Sequence, residues 1–142
     1  MVRQRYKKMA KLCYYICSPL SAPTQAGIMK NKEQAGRYVE IVSRITDKRA
    51  IAPHAILPGH FDDNIPEERE ICLQFGLEVL SLCDAMVVCG NRVSSGMKGE
   101  ITLARCKGKK IYALRPDFDG KAVQHGYKLV NFDDVKEEFS YV

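Results

Sequence analysis

The stretch CGNRVSSGMKGE, from Cys89 to Glu100, gathers a glycine turn, an arginine, two serines and a glutamate ahead of an apolar helical pattern. Backbone N–H groups at a helix start favour an anion or a hydroxyl-rich ligand. Arg92 adds a positive charge suited to phosphate. Ser94 and Ser95 fit such a site, and either also fits a plain helix cap. Glu100 is the residue that needs explaining. With Met97 at zero on a helical wheel, Ile101 falls at about 40°, Ala104 at about 340°, Leu103 at about 240° and Glu100 at about 300°. The glutamate therefore lies inside the apolar arc, one turn into the helix. Burial there raises a carboxyl pKa, and a helix N-terminus lowers it. A carboxylate held between those influences at the mouth of a cleft suits a nucleophile or a general base. The alternative is an edge glutamate paired with Lys107 or a neighbouring chain.

Other residues carry weaker signals. His54 and His60 flank AILPG and are placed to hydrogen-bond a base or a leaving group. Two histidines are too few for a metal centre, and no metal is expected. His125 reads as a surface residue. The six cysteines form no CxxC pair and keep no histidine cluster at zinc spacing. They sit in apolar segments such as KLCYYICS and AMVVCG, which reads as reduced thiols in the core of a cytoplasmic protein.

The elements that must position these residues follow from periodicity. KLCYYIC (residues 11–17) reads as a buried strand, followed by a polar loop over 18–30. Asn31 resembles an N-cap with Gln34 in capping-box position, opening a helix with Ala35, Tyr38, Val39, Val42 and Ile45 on one face. RAIAPHAI is a second strand. Pro66 suits the first position of the next helix, which carries Ile71, Phe75, Leu77, Leu80 and Leu82. DAMVVCG is a third strand, SSGMKGEITLARCKG a turn and helix ending at Gly108, KKIYAL a fourth strand, YKLVNF a fifth and DDVKEEF a short closing helix. Strands alternating with helices predict an α/β fold: a three-layer, doubly wound parallel sheet of about five strands, of flavodoxin or Rossmann type. In such sheets ligands bind beyond the carboxyl ends of the strands. That rule selects the loops 18–30, 54–64, 90–96 and 115–120. No GxGxxG or Walker loop follows the first strand, which argues against the usual dinucleotide fingerprint and against a P-loop.

The chain has 142 residues and a formal charge of +5, enough for one domain over 11–142 behind a basic tail over 1–10. Without Arg3, Arg5, Lys7 and Lys8 the charge falls to +1. Neither a nucleic-acid surface nor a membrane anchor is therefore expected.

The segment CDAMVVCGNRVSSGMKGEITLARCKGKKIYAL resembles the core of nucleoside 2-deoxyribosyltransferase-like proteins. The shared shape is an aspartate before an apolar strand, a Gly-Met turn, a glutamate, a small-residue helix, and GK before the next strand. YYICSPLS, NKEQAGRYVEIV and IAPHAILP match the same layout. The resemblance implies cleavage of an N-glycosidic bond in a nucleoside or nucleotide, without a cofactor. Glu100 would be the nucleophile at the anomeric carbon. It implies ligand contacts from Ser18, Pro19 and Leu20 after the first strand, and from Ser94, Ser95, Gly96 and Met97 at the turn. It also implies a homo-oligomer, with VKEEFSYV a candidate contact. Two acidic positions of the transferases are Ser94 and Gly76 here. Ser94, Ser95 and Arg92 then favour a nucleotide over a free nucleoside, and an acid would come from Asp62 or Asp63. The alternative is a nucleotide-binding module of the same fold that has lost catalysis. Phosphoribohydrolases that resemble lysine decarboxylases fit less well, because SSGM lacks their double glycine.

Overall fold

Largely apolar runs of three to seven residues become the strands of the main sheet, and a computed structural model describes the chain over residues 13–20, 22–53, 65–117 and 126–141. β1 (Cys13–Cys17) pairs in parallel with β2 (Arg49–Ile51) on one side and with β3 (Ala85–Val88) on the other. β3 pairs in parallel with β5 (Lys110–Pro116), and β6 (Tyr127–Asn131) closes the edge. The order is β2-β1-β3-β5-β6. Successive residues of the central strands point to opposite faces, and both faces are buried, so the strands are apolar without alternation. Ile16, Val87, Cys89 and Leu114 pack with Ala35 and Val42 of α1 (Gln25–Thr46). Tyr15, Met86, Val88 and Ala113 face the other way. They pack with Leu80 of α2 (Pro66–Leu82), with Met97, Ile101 and Ala104 of α3 (Ser95–Cys106), and with Phe132 of α4 (Phe132–Val135). The result is a three-layer α/β fold with a mixed, mostly parallel sheet.

Four details differ from the sequence expectation. β6 runs antiparallel to β5, with Tyr112 opposite Asn131 and Pro116 opposite Tyr127. The connection between them is too short for a crossover helix, and Asp117 N–H donates to the Gly126 carbonyl at 2.9 Å to close the turn. α1 begins six residues before Asn31. Thr24 is its cap, accepting from Gly27 N–H at 3.0 Å, while the Asn31 amide donates to the Leu20 carbonyl at 2.8 Å. β2 ends at Ile51, and residues 54–56 of the expected strand lie outside the described residues, as does the basic tail. Finally β4 (Arg92–Val93) pairs with β7 (Ser140–Tyr141), a two-residue ladder beyond the carboxyl end of the main sheet. A 3₁₀ turn over Lys136–Glu138 leads into it.

Candidate functional site

Three chain turns meet beyond the carboxyl ends of β1 and β3. β1 ends on Tyr15, Ile16 and Cys17, all buried, and runs into buried Ser18. After β3 the chain reverses at Gly90, whose φ of +90° lies where side chains are strained. α3 then starts at Ser94, whose hydroxyl accepts from Met97 N–H at 3.3 Å. The Met97 sulfur in turn faces Ser94 N–H at 3.4 Å. This is the capping role foreseen for a serine here. A capping hydroxyl oxygen that accepts still has its own O–H to donate.

A cavity of about 720 Å³ opens between α2, α3 and the end of β1. Leu73, Gly76 and Leu77 of α2 form one wall, and Gly96, Gly99 and Leu103 of α3 the other. Tyr15, Ser18 and Glu100 line it from the sheet side. The glycines are informative, because each glycine inside a helix costs about 1 kcal/mol relative to alanine. A Cβ on Gly96 or Gly99 would meet nothing within 4 Å, and one on Gly76 would come to 3.3 Å from the Tyr15 hydroxyl. The helices thus leave open the space that side chains would fill.

Glu100 is the ionisable group in this cavity with the clearest electrostatic signature. The residue is half-buried, yet its carboxyl Oε2 is shielded from solvent and has no hydrogen-bond partner among the described residues. Burial raises its pKa from 4.5 to about 7, against hydrogen bonds with Tyr15 and Cys17 that lower it. Desolvation therefore outweighs the stabilising contacts, and Glu100 lies beyond the first turn, where the helix dipole has faded. The two donors feel the converse. Burial, and then the glutamate's charge, push the Tyr15 hydroxyl and the Cys17 thiol well above their ordinary values. The carboxyl thus sits against two neutral donors, poised to ionise near neutral pH, with one oxygen unsatisfied. Such a group can attack an electrophilic carbon or take a proton.

The expected residues divide. Glu100, Ser18, Leu20, Ser94, Ser95, Gly96 and Met97 all line this cavity. Pro19 and Arg92 do not. The Pro19 ring packs near Gly90, 3.6 Å from where a Cβ would stand, and Arg92 is exposed on β4 opposite Ser140. Pairing with β7 carries Arg92 out of the turn and away from the lining. His54, His60, Asp62 and Asp63 lie outside the described residues. Tyr15, Cys17 and the wall of α2 were not foreseen. Alternation along CYYIC puts Tyr15 and Cys17 on one face, so tracing the face toward Glu100 would have found them. No group of three metal-ligating side chains occurs among the described residues, and none of their helices is long and apolar enough to cross a membrane.

Residues 12–114 match the family described as Domain of unknown function (DUF7768), and the chain belongs to that family. No curated protein matches it.

Proposed function

We propose that this DUF7768 protein cleaves the N-glycosidic bond of a nucleoside or nucleotide, with Glu100 as nucleophile. The observation that carries the reading is the buried Glu100 carboxyl, with an unsatisfied oxygen, at the edge of a cavity large enough for such a ligand. The resemblance to nucleoside 2-deoxyribosyltransferase-like proteins supplies the role, and a doubly wound, flavodoxin-like reading of the sheet goes with it. In this scheme the ionised carboxylate attacks the anomeric carbon as the bond to the base nitrogen breaks. The base nitrogen takes a proton from solvent as it leaves, and the sugar stays on Glu100 as an ester. Water then hydrolyses the ester, or a second base accepts the sugar. Tyr15 holds the attacking carboxylate, and Ser94 and Ser95 meet the sugar or its 5′-phosphate. The scheme needs no cofactor. A homo-oligomer and a cytoplasmic setting belong to the same reading.

Incubation with a panel of nucleosides, deoxynucleotides and nicotinamide dinucleotide, followed by chromatography of free base, tests it. Wild type releases base from at least one member, and Glu100→Gln and Glu100→Ala lose at least about a thousandfold in rate. Undiminished release by Glu100→Gln overturns the assignment. A second reading, a binding module without turnover, draws on Gly76. That position offers no acid above the Tyr15 hydroxyl, where the transferases keep an aspartate. Tight nucleotide binding without base release, insensitive to Glu100→Ala, would favour it.

A further inference from the structure

Two cysteines at the other end of the sheet, away from the cavity, are held as a pair. Cys13 opens β1 and Cys83 follows α2 as its C-cap, seventy residues later. Their sulfurs lie 3.7 Å apart, with the Cys83 thiol directed at Cys13 Sγ. The backbone fixes this approach. Asp84 N–H donates to the Cys13 carbonyl at 3.0 Å, Cys13 N–H faces Asp84 Oδ2 at 3.3 Å, and the ladder continues with Tyr14 opposite Ala85. Cys83 is thus one residue out of register with Cys13. The 3.7 Å between the sulfurs leaves less than about 2 Å to close to a disulfide bond.

We propose that Cys13 and Cys83 form a peroxide-responsive dithiol, in which Cys13 is oxidised first and Cys83 resolves it to a disulfide. Their surroundings divide the roles. Cys13 is half-buried and open to a small oxidant, while Cys83 is buried. The hydrogen bond from Cys83 holds the Cys13 thiol below its ordinary range, against burial and the Asp84 charge and with help from Arg49. The same bond raises the Cys83 thiol, and Lys109 Nζ donates to the Cys83 carbonyl beside the pair. Cys13 is therefore the more readily ionised and more accessible of the two, and Cys83 the donor beside it. Cys17 and Cys89 are fully buried, and burial raises both.

The Cys13 thiolate attacks one peroxide oxygen. An S–O bond forms, the O–O bond breaks, and the departing hydroxide takes a proton from solvent. Cys83 sulfur then attacks Cys13 sulfur, the S–O bond breaks, and the Cys83 proton leaves with that hydroxide as water. Two thiols and one peroxide give one disulfide and two waters, the two electrons passing from sulfur to oxygen.

Treating the reduced 142-residue chain with stoichiometric hydrogen peroxide at neutral pH, then blocking with N-ethylmaleimide and mapping peptides by mass spectrometry, tests this. The expected product lacks two blockable thiols, carries a Cys13–Cys83 cross-link reversed by dithiothreitol, and forms about tenfold faster than in the urea-unfolded chain. Cys83→Ser stops at a Cys13 sulfenic acid that dimedone traps, and Cys13→Ser leaves Cys83 reduced. Retention of both thiols in wild type, or a cross-link between other cysteines, overturns the proposal. So does oxidation no faster than in urea.

Discussion

Glu100 feels two opposed influences, and their balance decides its chemistry. Burial drives its pKa to about 7, while Tyr15 and Cys17 pull the other way. As a nucleophile it must be ionised, so turnover should rise with pH along a limb centred near 7. Tyr15→Phe deletes a donor that favours the charged form. The limb then moves upward, and kcat/KM at pH 6.5 falls severalfold while the alkaline plateau falls less. A limb that stays in place, read from a pH–rate profile, would detach Tyr15 from Glu100. The wall glycines give a second comparison. Gly99→Ala meets open space, so the helix gains about 0.5–1 kcal/mol in urea unfolding as the cavity narrows and KM rises. Gly76→Ala puts a Cβ 3.3 Å from the hydroxyl of buried Tyr15, which must give by a few tenths of an ångström. There the helical gain should vanish, and kcat should fall severalfold.

At the scale of elements, two arginines tie the peripheral segments to the core, and they should differ in strength. Arg115, at the end of β5, is 9% exposed, donates from Nη1 to the Gly90 carbonyl at 3.1 Å and stacks 3.8 Å from the Phe139 ring centroid. Its Nε and Nη2 are buried without hydrogen-bond partners among the described residues. Arg115→Ala should cost about 3 kcal/mol in urea unfolding through lost packing and lost cation–π contact. Arg115→Met keeps the volume, removes the incompletely satisfied charge, and should stay within about 1 kcal/mol of wild type. Arg105 pairs with Asp133 in a two-bond fork at 3.1 and 2.5 Å, joining α3 to α4. Their side chains are 44% and 56% exposed, so Asp133→Asn should cost less than about 1 kcal/mol, and less still in salt. The same elements show what the sequence could disclose. Apolar runs revealed the strands, Pro66 and the Ser94–Ser95 pair marked two helix starts, and the wheel placed Glu100. Strand direction at the β6 edge was not legible from periodicity, which is the same for both directions; the short link from Pro116 to Tyr127 held that information. The two-residue ladder of β4 and β7 is below the length at which any period shows. Tyr15 read as one more buried aromatic, because its role depends on a glutamate 85 residues away. Gly76 stands out in the sequence only as a missing transferase acid and not as a cavity wall, because the space it leaves exists only after α2 packs.

For the whole molecule, a carboxyl kept from ionising is a cost to folding that grows with pH. In the unfolded chain Glu100 ionises near 4.5, and in the folded protein near 7. Between those values the folded state binds the extra proton, so stability is full below pH 4.5 and declines as pH rises through 7. The shift corresponds to about 3 kcal/mol once both states are ionised. Other groups complicate the wild-type curve alone. Asp133 is lowered by its bond to Arg105, and Cys13 is lowered by Cys83 while Cys83 is raised. These contributions cancel when wild type is compared with Glu100→Gln, which keeps the shape and removes the titration. The two proteins should unfold at similar urea concentrations at pH 4. By pH 8 the variant should be more stable by up to about 3 kcal/mol, with half of that gap open near pH 6. A gap that does not grow with pH would mean that Glu100 ionises freely in the folded protein. The nucleophile assignment would then lose its electrostatic basis. A gap that grows as stated, together with lost base release, ties the instability of the fold to the chemistry of one residue.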